Sequence, residues 1–113
     1  MKLPYRDRIQ REQIIEKLTT YALNFEHRDG KHKARLFNVK LGITLNNQEK
    51  LITAIFEAVN TQSVTYTTTS QYGEKYVIDF IMETEVGTSK IRTAWIIFFE
   101  DNYPRLTSIY PIK

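Results

Sequence analysis

A chain of 113 residues has room for one hydrophobic core and none for a second, single domains being commonest at roughly 100 to 150 residues. Its composition of 42% hydrophobic, 12% aromatic and 26% charged residues excludes a disordered chain, and the absence of cysteine excludes disulfides, thiolate zinc sites and cysteine nucleophiles. The net charge of +3 is uneven, because five Lys/Arg and one acid, Asp29, lie between His27 and Lys40, giving that segment +4.

The start, Met1 to Arg8, has no apolar h-region, and no stretch approaches the roughly 18 apolar residues of a membrane span, so no membrane partner and a cytoplasmic location are expected. Ile14, Ile15, Leu18, Tyr21 and Ala22 recur at helical spacing, which predicts a helix from about Arg11 to Ala22. His27 to Gly30 breaks that period. A second helix is predicted over Lys31 to Leu41, with Gly42 placed to cap it, and it carries the basic segment. A third begins near Asn46, where Asn46 and Glu49 are spaced as a capping box, and runs to about Asn60 on the stripe Leu51, Ile52, Ile55, Phe56, Val59.

From Ser63 the apolar period changes to two and β-branched and aromatic residues dominate. Four strands are predicted: Val64 to Thr69, Glu74 to Thr84, Ser89 to Phe99 and Arg105 to Tyr110. The connections are too short for parallel crossovers, so the strands form an antiparallel meander. The third, apolar on both faces, belongs in its interior. The expected fold is a single α+β domain over 1–113, with about three N-terminal helices in 1–60 followed by a four-stranded antiparallel sheet in 61–113.

The sequence contains no glycine-rich phosphate loop, paired-carboxylate motif or His-Glu-x-x-His element, and two histidines offer few transition-metal ligands, so neither a metal nor a cofactor is expected. Asp79, Glu83 and Glu85 fit either a hard-cation site at a strand end or a solvated edge. The densest polar cluster is His27 to Arg35. Cutting a phosphodiester without metal needs a base for the ribose 2′-hydroxyl, an acid for the leaving oxygen and cations for the developing charge, and imidazole, ammonium and guanidinium can fill those roles. A solvated basic helix face is the plainer alternative. On the strands, alternation puts Thr65, Thr67 and Thr69 on one face and Arg105, Thr107 and Ile109 on another, as phosphate contacts or as ordinary strand formers. Tyr72, Tyr76 and Trp95 suit either base stacking or the core.

The run Leu18, Tyr21, Leu23, His27, Gly30, Lys33-Ala34-Arg35, Phe37, Leu41-Gly42, followed by Tyr72-Gly73, Tyr76, Thr93, Trp95 and the segment Pro104 to Pro111, resembles a short bacterial domain family of uncharacterised function that is frequent in cyanobacteria. Its motifs read G-x-x-K-A-R-x-F and P-R-L-T-x-x-Y-P. The resemblance implies a gene beside that of a very small, antitoxin-like partner protein. The order of elements is similar to the fold shared by barnase, EndoU, colicin ribonucleases and RelE toxins, which cut RNA without metal. By position it supports His27, Lys33, Arg35, Thr93, Arg105, Thr107 and Tyr110 as candidates. His32 is not required by the pattern, and Gly30 and Gly42 are expected to be structural.

The resulting expectation is a toxin-like, metal-independent endoribonuclease whose partners are RNA and a small antitoxin-like protein. His27 or His32 would act as base or acid, Lys33 and Arg35 would hold the phosphate, and Thr107 and Tyr110 would orient or stabilise it. Lys31, Lys40, Tyr72, Arg92, Thr93 and Arg105 would bind the nucleic acid, and the products would be a 2′,3′-cyclic phosphate and a 5′-hydroxyl. The alternative is a non-catalytic RNA-binding or protein-interaction module.

Overall fold

The first helix, α1 (Arg11–Lys17), passes into a single π-helical turn at Leu18–Ala22 in the computed structural model, which describes residues 1–112. The Leu23 N–H reaches back to the Leu18 carbonyl at 2.9 Å, and Leu18 and Ala22, one turn apart on the same face, are both in the core. One continuous helix was expected here; the π turn is a local irregularity of the kind that often marks functional sites.

The second helix, α2, covers Lys31–Leu41 as predicted, and Gly42 ends it with a φ of 67°, a left-handed conformation that costs glycine little. The predicted cap of the third helix is corrected. Thr44 accepts from the Asn46 N–H at 3.3 Å, while the Asn47 side chain accepts from the Thr44 N–H at 2.8 Å and donates to the Gly42 carbonyl at 2.9 Å. This box opens a short 3-10 turn that leads into α3 (Gln48–Thr61). Glu49 pairs instead with Arg11 and ties α3 to α1.

The strands β1 (Tyr66–Thr69), β2 (Gly73–Glu83), β3 (Thr88–Phe98) and β4 (Arg105–Ile112) form one antiparallel meander in the order β1-β2-β3-β4. The protein is thus α+β, three helices followed by a four-stranded sheet. β1 starts later than expected because the Val64 N–H turns away to the Met1 carbonyl at 2.7 Å. The hydroxyls of Thr65 and Thr67 donate to carbonyls of β2 and that of Thr69 to the Glu74 carboxylate, so these threonines secure the edge of the sheet.

All three helices cover one face of the sheet. Tyr76, Ile78, Phe80 and Met82 of β2 and Ile91, Trp95 and Ile97 of β3 pack beneath Ile14, Leu18, Phe37, Ile52 and Ile55 in a core shared by the helical and sheet segments. Tyr76 and Trp95 are therefore core residues rather than stacking platforms. Thr93 lies among them, 1% exposed, donating to the Ile78 carbonyl at 2.8 Å and accepting from the Trp95 indole N–H at 2.9 Å. Its proposed contact with nucleic acid is corrected, because the hydroxyl is buried and both of its bonds serve the core.

β4 contains a bulge. Ala94 faces Ser108 but Trp95 faces Leu106, leaving Thr107 as the extra residue. Leu106 and Ile109 are consequently both buried, and Arg105 does not share a face with Ile109 as strict alternation implied. The outer edge of β4 is held by Gln13 of α1, whose amide donates to the Leu106 carbonyl at 2.9 Å and accepts from the Leu106 N–H at 2.8 Å. Among the described residues no helix is long and apolar enough to cross a membrane.

Candidate functional site

The sheet face away from the helices carries a row of polar residues across three strands. Asp79 of β2 stands opposite Arg92 of β3, which stands opposite Tyr110 of β4. Arg92 donates to both Asp79 oxygens, from Nε and from an Nη, each at 3.0 Å. Those bonds and the Asp79 charge, with a smaller contribution from the neighbouring Tyr110 hydroxyl, raise the guanidinium above its already high ordinary pKa, so it is a permanent cation. Asp79 is almost buried while the Arg92 side chain is 41% exposed, so the carboxylate aims the guanidinium and leaves some of its five N–H donors for a ligand.

Tyr110 lies on the edge strand, where α2 also approaches. Lys33 projects from the flank of α2 and places its Nζ 5.1 Å from the centre of the Tyr110 ring and 4.7 Å from that of Tyr21. The same ammonium lies 3.4 Å from the Tyr21 hydroxyl, and Lys17 approaches the Tyr21 ring at 5.5 Å. Contacts of an ammonium with aromatic faces are attractive and hold its long side chain in one region. Two cations, Lys33 and Arg92, thus meet on one tyrosine.

Gly30 makes this arrangement possible. A Cβ there would lie 2.1 Å from the backbone oxygen of Tyr21, so only glycine lets the start of α2 sit against the π turn. The first position of the G-x-x-K-A-R-x-F motif thereby acquires a physical reason, since it brings Lys33 beside Tyr21. His27 secures the same junction. Its Nδ1 accepts from the backbone N–H groups of Asp29 at 3.0 Å and Gly30 at 2.9 Å, and its ring stands edge-on to Tyr21 with centroids 4.6 Å apart. An Nδ1 that accepts twice is unprotonated, which assigns the neutral ring's proton to Nε2. In that tautomer Nδ1 is committed to the backbone and Nε2 remains as a donor, so His27 helps to position this junction.

The remaining candidates are dispersed. Lys31 and Arg35, two residues either side of Lys33, lie on the opposite side of α2, and both are exposed together with His32. His32 makes no side-chain hydrogen bond among the described residues, so nothing joins it to the Tyr110 cluster. Lys40 is seven residues beyond Lys33 and shares its flank, about 10 Å along the helix. Thr107 is exposed in the bulge and donates to the Ala94 carbonyl at 3.0 Å. Arg105 belongs to a second group, where its guanidinium bonds to Asp101 and the Tyr103 hydroxyl and lies 5.4 Å from the Phe98 ring centre. Exposed Tyr72 joins Arg105 around a shallow cavity of about 440 Å³. That group is five residues from Tyr110 along β4, roughly 15 Å away.

The structure therefore unites Lys33, Arg92 and Tyr110, with His27 behind them, and separates these from His32, Lys31, Arg35, Tyr72 and Arg105. It adds Tyr21, Asp79 and Lys17, which reading the sequence missed. Tyr21 looked like one more apolar position of α1, and only the π turn rotates it towards Lys33. Asp79 was a weak cation ligand until the register of β2 on β3 set it against Arg92; counting back through the short turn between those strands was the available signal. With Asp79 bound to Arg92 and Glu85 to Lys50 at 3.6 Å, the strand-end acids form no cage, and no three His, Asp or Glu side chains among the described residues are placed to hold an ion.

The chain belongs to the family described as "Domain of unknown function (DUF6883)", whose model matches residues 2–113. No curated protein and no solved structure matches it.

Proposed function

We propose that this member of an uncharacterised family is a toxin-like, metal-independent endoribonuclease of the bacterial cytoplasm, held in check by a small antitoxin-like protein. The observation that carries this reading is the meeting of Lys33 and Arg92 on Tyr110 at the edge of β4. Two cations beside a hydroxyl suit a phosphodiester, which needs its negative charge neutralised as the phosphorane develops and a proton delivered to the departing oxygen.

In the proposed step the ribose 2′-oxygen forms a bond to phosphorus and the bond from phosphorus to the 5′-oxygen breaks. The 2′-hydroxyl proton passes to water, and Tyr110 protonates the leaving oxygen before recovering a proton from solvent. Arg92 and Lys33 bind the non-bridging oxygens. Asp79 and Tyr21 position those two cations and touch no substrate. The products are a 2′,3′-cyclic phosphate and a 5′-hydroxyl. Lys40, on the Lys33 flank, and Arg105 with Tyr72, further along β4, lie along a path for flanking nucleotides.

Replacing Tyr110 by phenylalanine tests the reading, because the ring that Lys33 approaches remains while the hydroxyl is lost. Loss of a proton donor of this kind costs about 10² to 10⁴ in rate. Wild-type chain expressed from a tight promoter should arrest growth and leave new RNA fragments ending in cyclic phosphate. Tyr110→Phe and Lys33→Ala should abolish both effects while remaining folded. Normal growth with intact RNA in the wild type would end the proposal.

The close pairing of Arg92 with Asp79 favours a second reading, since a guanidinium already bound to a carboxylate also suits a non-catalytic RNA-binding surface. A binder predicts that Tyr110→Phe changes little, whereas Lys33→Ala weakens RNA binding and makes it less dependent on salt.

A further inference from the structure

A cavity of about 1110 Å³ lies on the far side of the sheet from β4, between α3 and the outer edge of β2. Its position follows from unequal strand lengths. β2 runs from Gly73 to Glu83, but β1 pairs only with Glu74 to Val77, so no strand lies outside Ile78 to Glu83. The Thr65 N–H reaches the Val77 carbonyl at 2.8 Å, and beyond it the chain turns off to Met1. Backbone groups alternate along a strand, so the residues in phase with Val77, namely Asp79, Ile81 and Glu83, present theirs to the open edge.

Such an edge is normally blunted by a proline, a lysine, a bulge or a covering element. The stretch Ile78-Asp79-Phe80-Ile81-Met82-Glu83 contains no proline or lysine and pairs with β3 in unbroken register. α3 forms a wall beside it through Thr53, Ala54, Glu57 and Ala58 and does not close it. Ile81 is 65% exposed on this strand.

The lining also carries a charge preference. It contains the acids Glu49, Glu57, Asp79, Glu83 and Glu85 against Lys50 and Lys90, five against two, a net of −3. Glu49, Asp79 and Glu85 are paired with Arg11, Arg92 and Lys50, which leaves Glu57 and Glu83 against Lys90 without ion-pair partners among the described residues, Glu57 alone on the α3 side. A second copy of the chain would bring these two acids against their own counterparts.

We infer that the open edge of β2 accepts an extended segment of a partner polypeptide, in which apolar residues alternate with Lys or Arg, as an added strand along Ile78 to Glu83. The backbone of that segment bonds to Asp79, Ile81 and Glu83; alternation puts its apolar side chains on the open face beside exposed Ile81 and its basic side chains on the α3 side, facing Glu57. Affinity in this mode comes from main-chain bonds and specificity from alternate side chains. The site is on the opposite edge of the sheet from Tyr110, so the inference is independent of the proposed nuclease reaction.

The test uses the full chain, amide hydrogen exchange and three eight-residue peptides: valine alternating with lysine, valine alternating with glutamate, and the lysine peptide with two central prolines. The lysine peptide should slow exchange at Asp79, Ile81 and Glu83 and leave β4 unchanged, while the other two should have no effect. Glu57→Lys, a surface change, should weaken the lysine peptide roughly fivefold or more and admit the glutamate peptide. The inference is overturned if the lysine peptide fails to protect those amides at millimolar concentration. It is also overturned if the glutamate or proline peptide protects them equally, or if the protein alone protects them by self-association.

Discussion

Replacing Thr93 by valine keeps its shape and removes only the hydroxyl, which isolates the two bonds that this side chain makes beneath the helices. In the native chain Oγ1 donates to the Ile78 carbonyl at 2.8 Å and accepts from the Trp95 indole at 2.9 Å, with Thr93 and Trp95 each 1% exposed. The Ile78 carbonyl keeps a place in the β2–β3 ladder, so its loss is small. The indole N–H has no alternative and no access to water, and an unsatisfied buried donor costs about 1–3 kcal/mol. Together the changes should destabilise the fold by about 2–3 kcal/mol. Trp95 is the only tryptophan, so its fluorescence reports unfolding without another probe. With a urea slope of about 1–3 kcal/mol/M, the midpoint should fall by roughly 0.7 to 3 M with the slope unchanged. Thr93→Ser keeps the hydroxyl and should recover most of the loss. A midpoint within about 0.3 M of wild type for Thr93→Val would refute the reasoning. So would RNA binding that weakens in proportion while the protein stays folded, because Thr93 would then be a contact rather than a core bond.

Gly30→Ala should destabilise by about 2 kcal/mol even though its φ of −74° is open to alanine and the change restricts the unfolded chain, since the new Cβ meets the Tyr21 carbonyl oxygen at 2.1 Å; a thermal melt at or above the wild-type midpoint would show that α2 shifts freely. Gln13→Ala should cost about 1–2 kcal/mol and speed hydrogen exchange at the Leu106 amide, because both bonds that hold the edge of β4 are lost; unchanged exchange there would mean that water replaces Gln13 without loss. Burial, with the Glu74 charge adding to it, holds the Tyr76 hydroxyl above its ordinary value of 10.0. The folded state therefore keeps this proton longer than the unfolded state does, so its contribution is complete below pH 10 and falls as pH rises through the folded value. Tyr76→Phe should show a shallower loss of urea midpoint on the alkaline side, and parallel curves would refute this.

The parts of the fold legible in the sequence were those set by short-range rules. Gly42 ended α2 because the turn needs a left-handed residue, and the short links after Thr69, Glu83 and Phe98 permitted only neighbouring antiparallel strands. What failed depended on a choice between equivalent local patterns. Asn46 with Glu49 and Thr44 with Asn47 fit the same capping template, and the second prevailed because Asn47 can also bond the Gly42 carbonyl. Strict alternation placed Arg105 with Ile109, but the bulge at Thr107 moved them to different faces. The site was legible only in its residue types. Lys33, Arg92 and Tyr110 were named among a dozen candidates, and two irregularities that neither helical nor strand period encodes lie beside their meeting point.

Those two irregularities are the π turn at Leu18–Ala22 and the bulge at Thr107, and they act on the two sides of one junction. The π turn adds a residue to the helical circuit, so Tyr21 faces α2 while Leu18 and Ala22 both remain buried. The bulge adds a residue to β4, so Leu106 and Ile109 both face the core, while Tyr110, opposite Arg92, falls on the open face beside the edge that α2 approaches. Without the extra residue of the π turn the core would keep its composition, but Tyr21 would leave Lys33. The bulge takes up Thr107, so that Leu106 stays on the core face while Ser108, Ile109 and Tyr110 keep their register on Ala94, Thr93 and Arg92. Deletion of Thr107 tests this account: it should leave a folded chain with regular alternation from Leu106 to Tyr110, in which Lys33 and Tyr110 keep their contact, read as Lys33 Nζ to Tyr110 ring proximity by NMR. Loss of that proximity would show that the bulge itself, and not the register beyond it, places Tyr110.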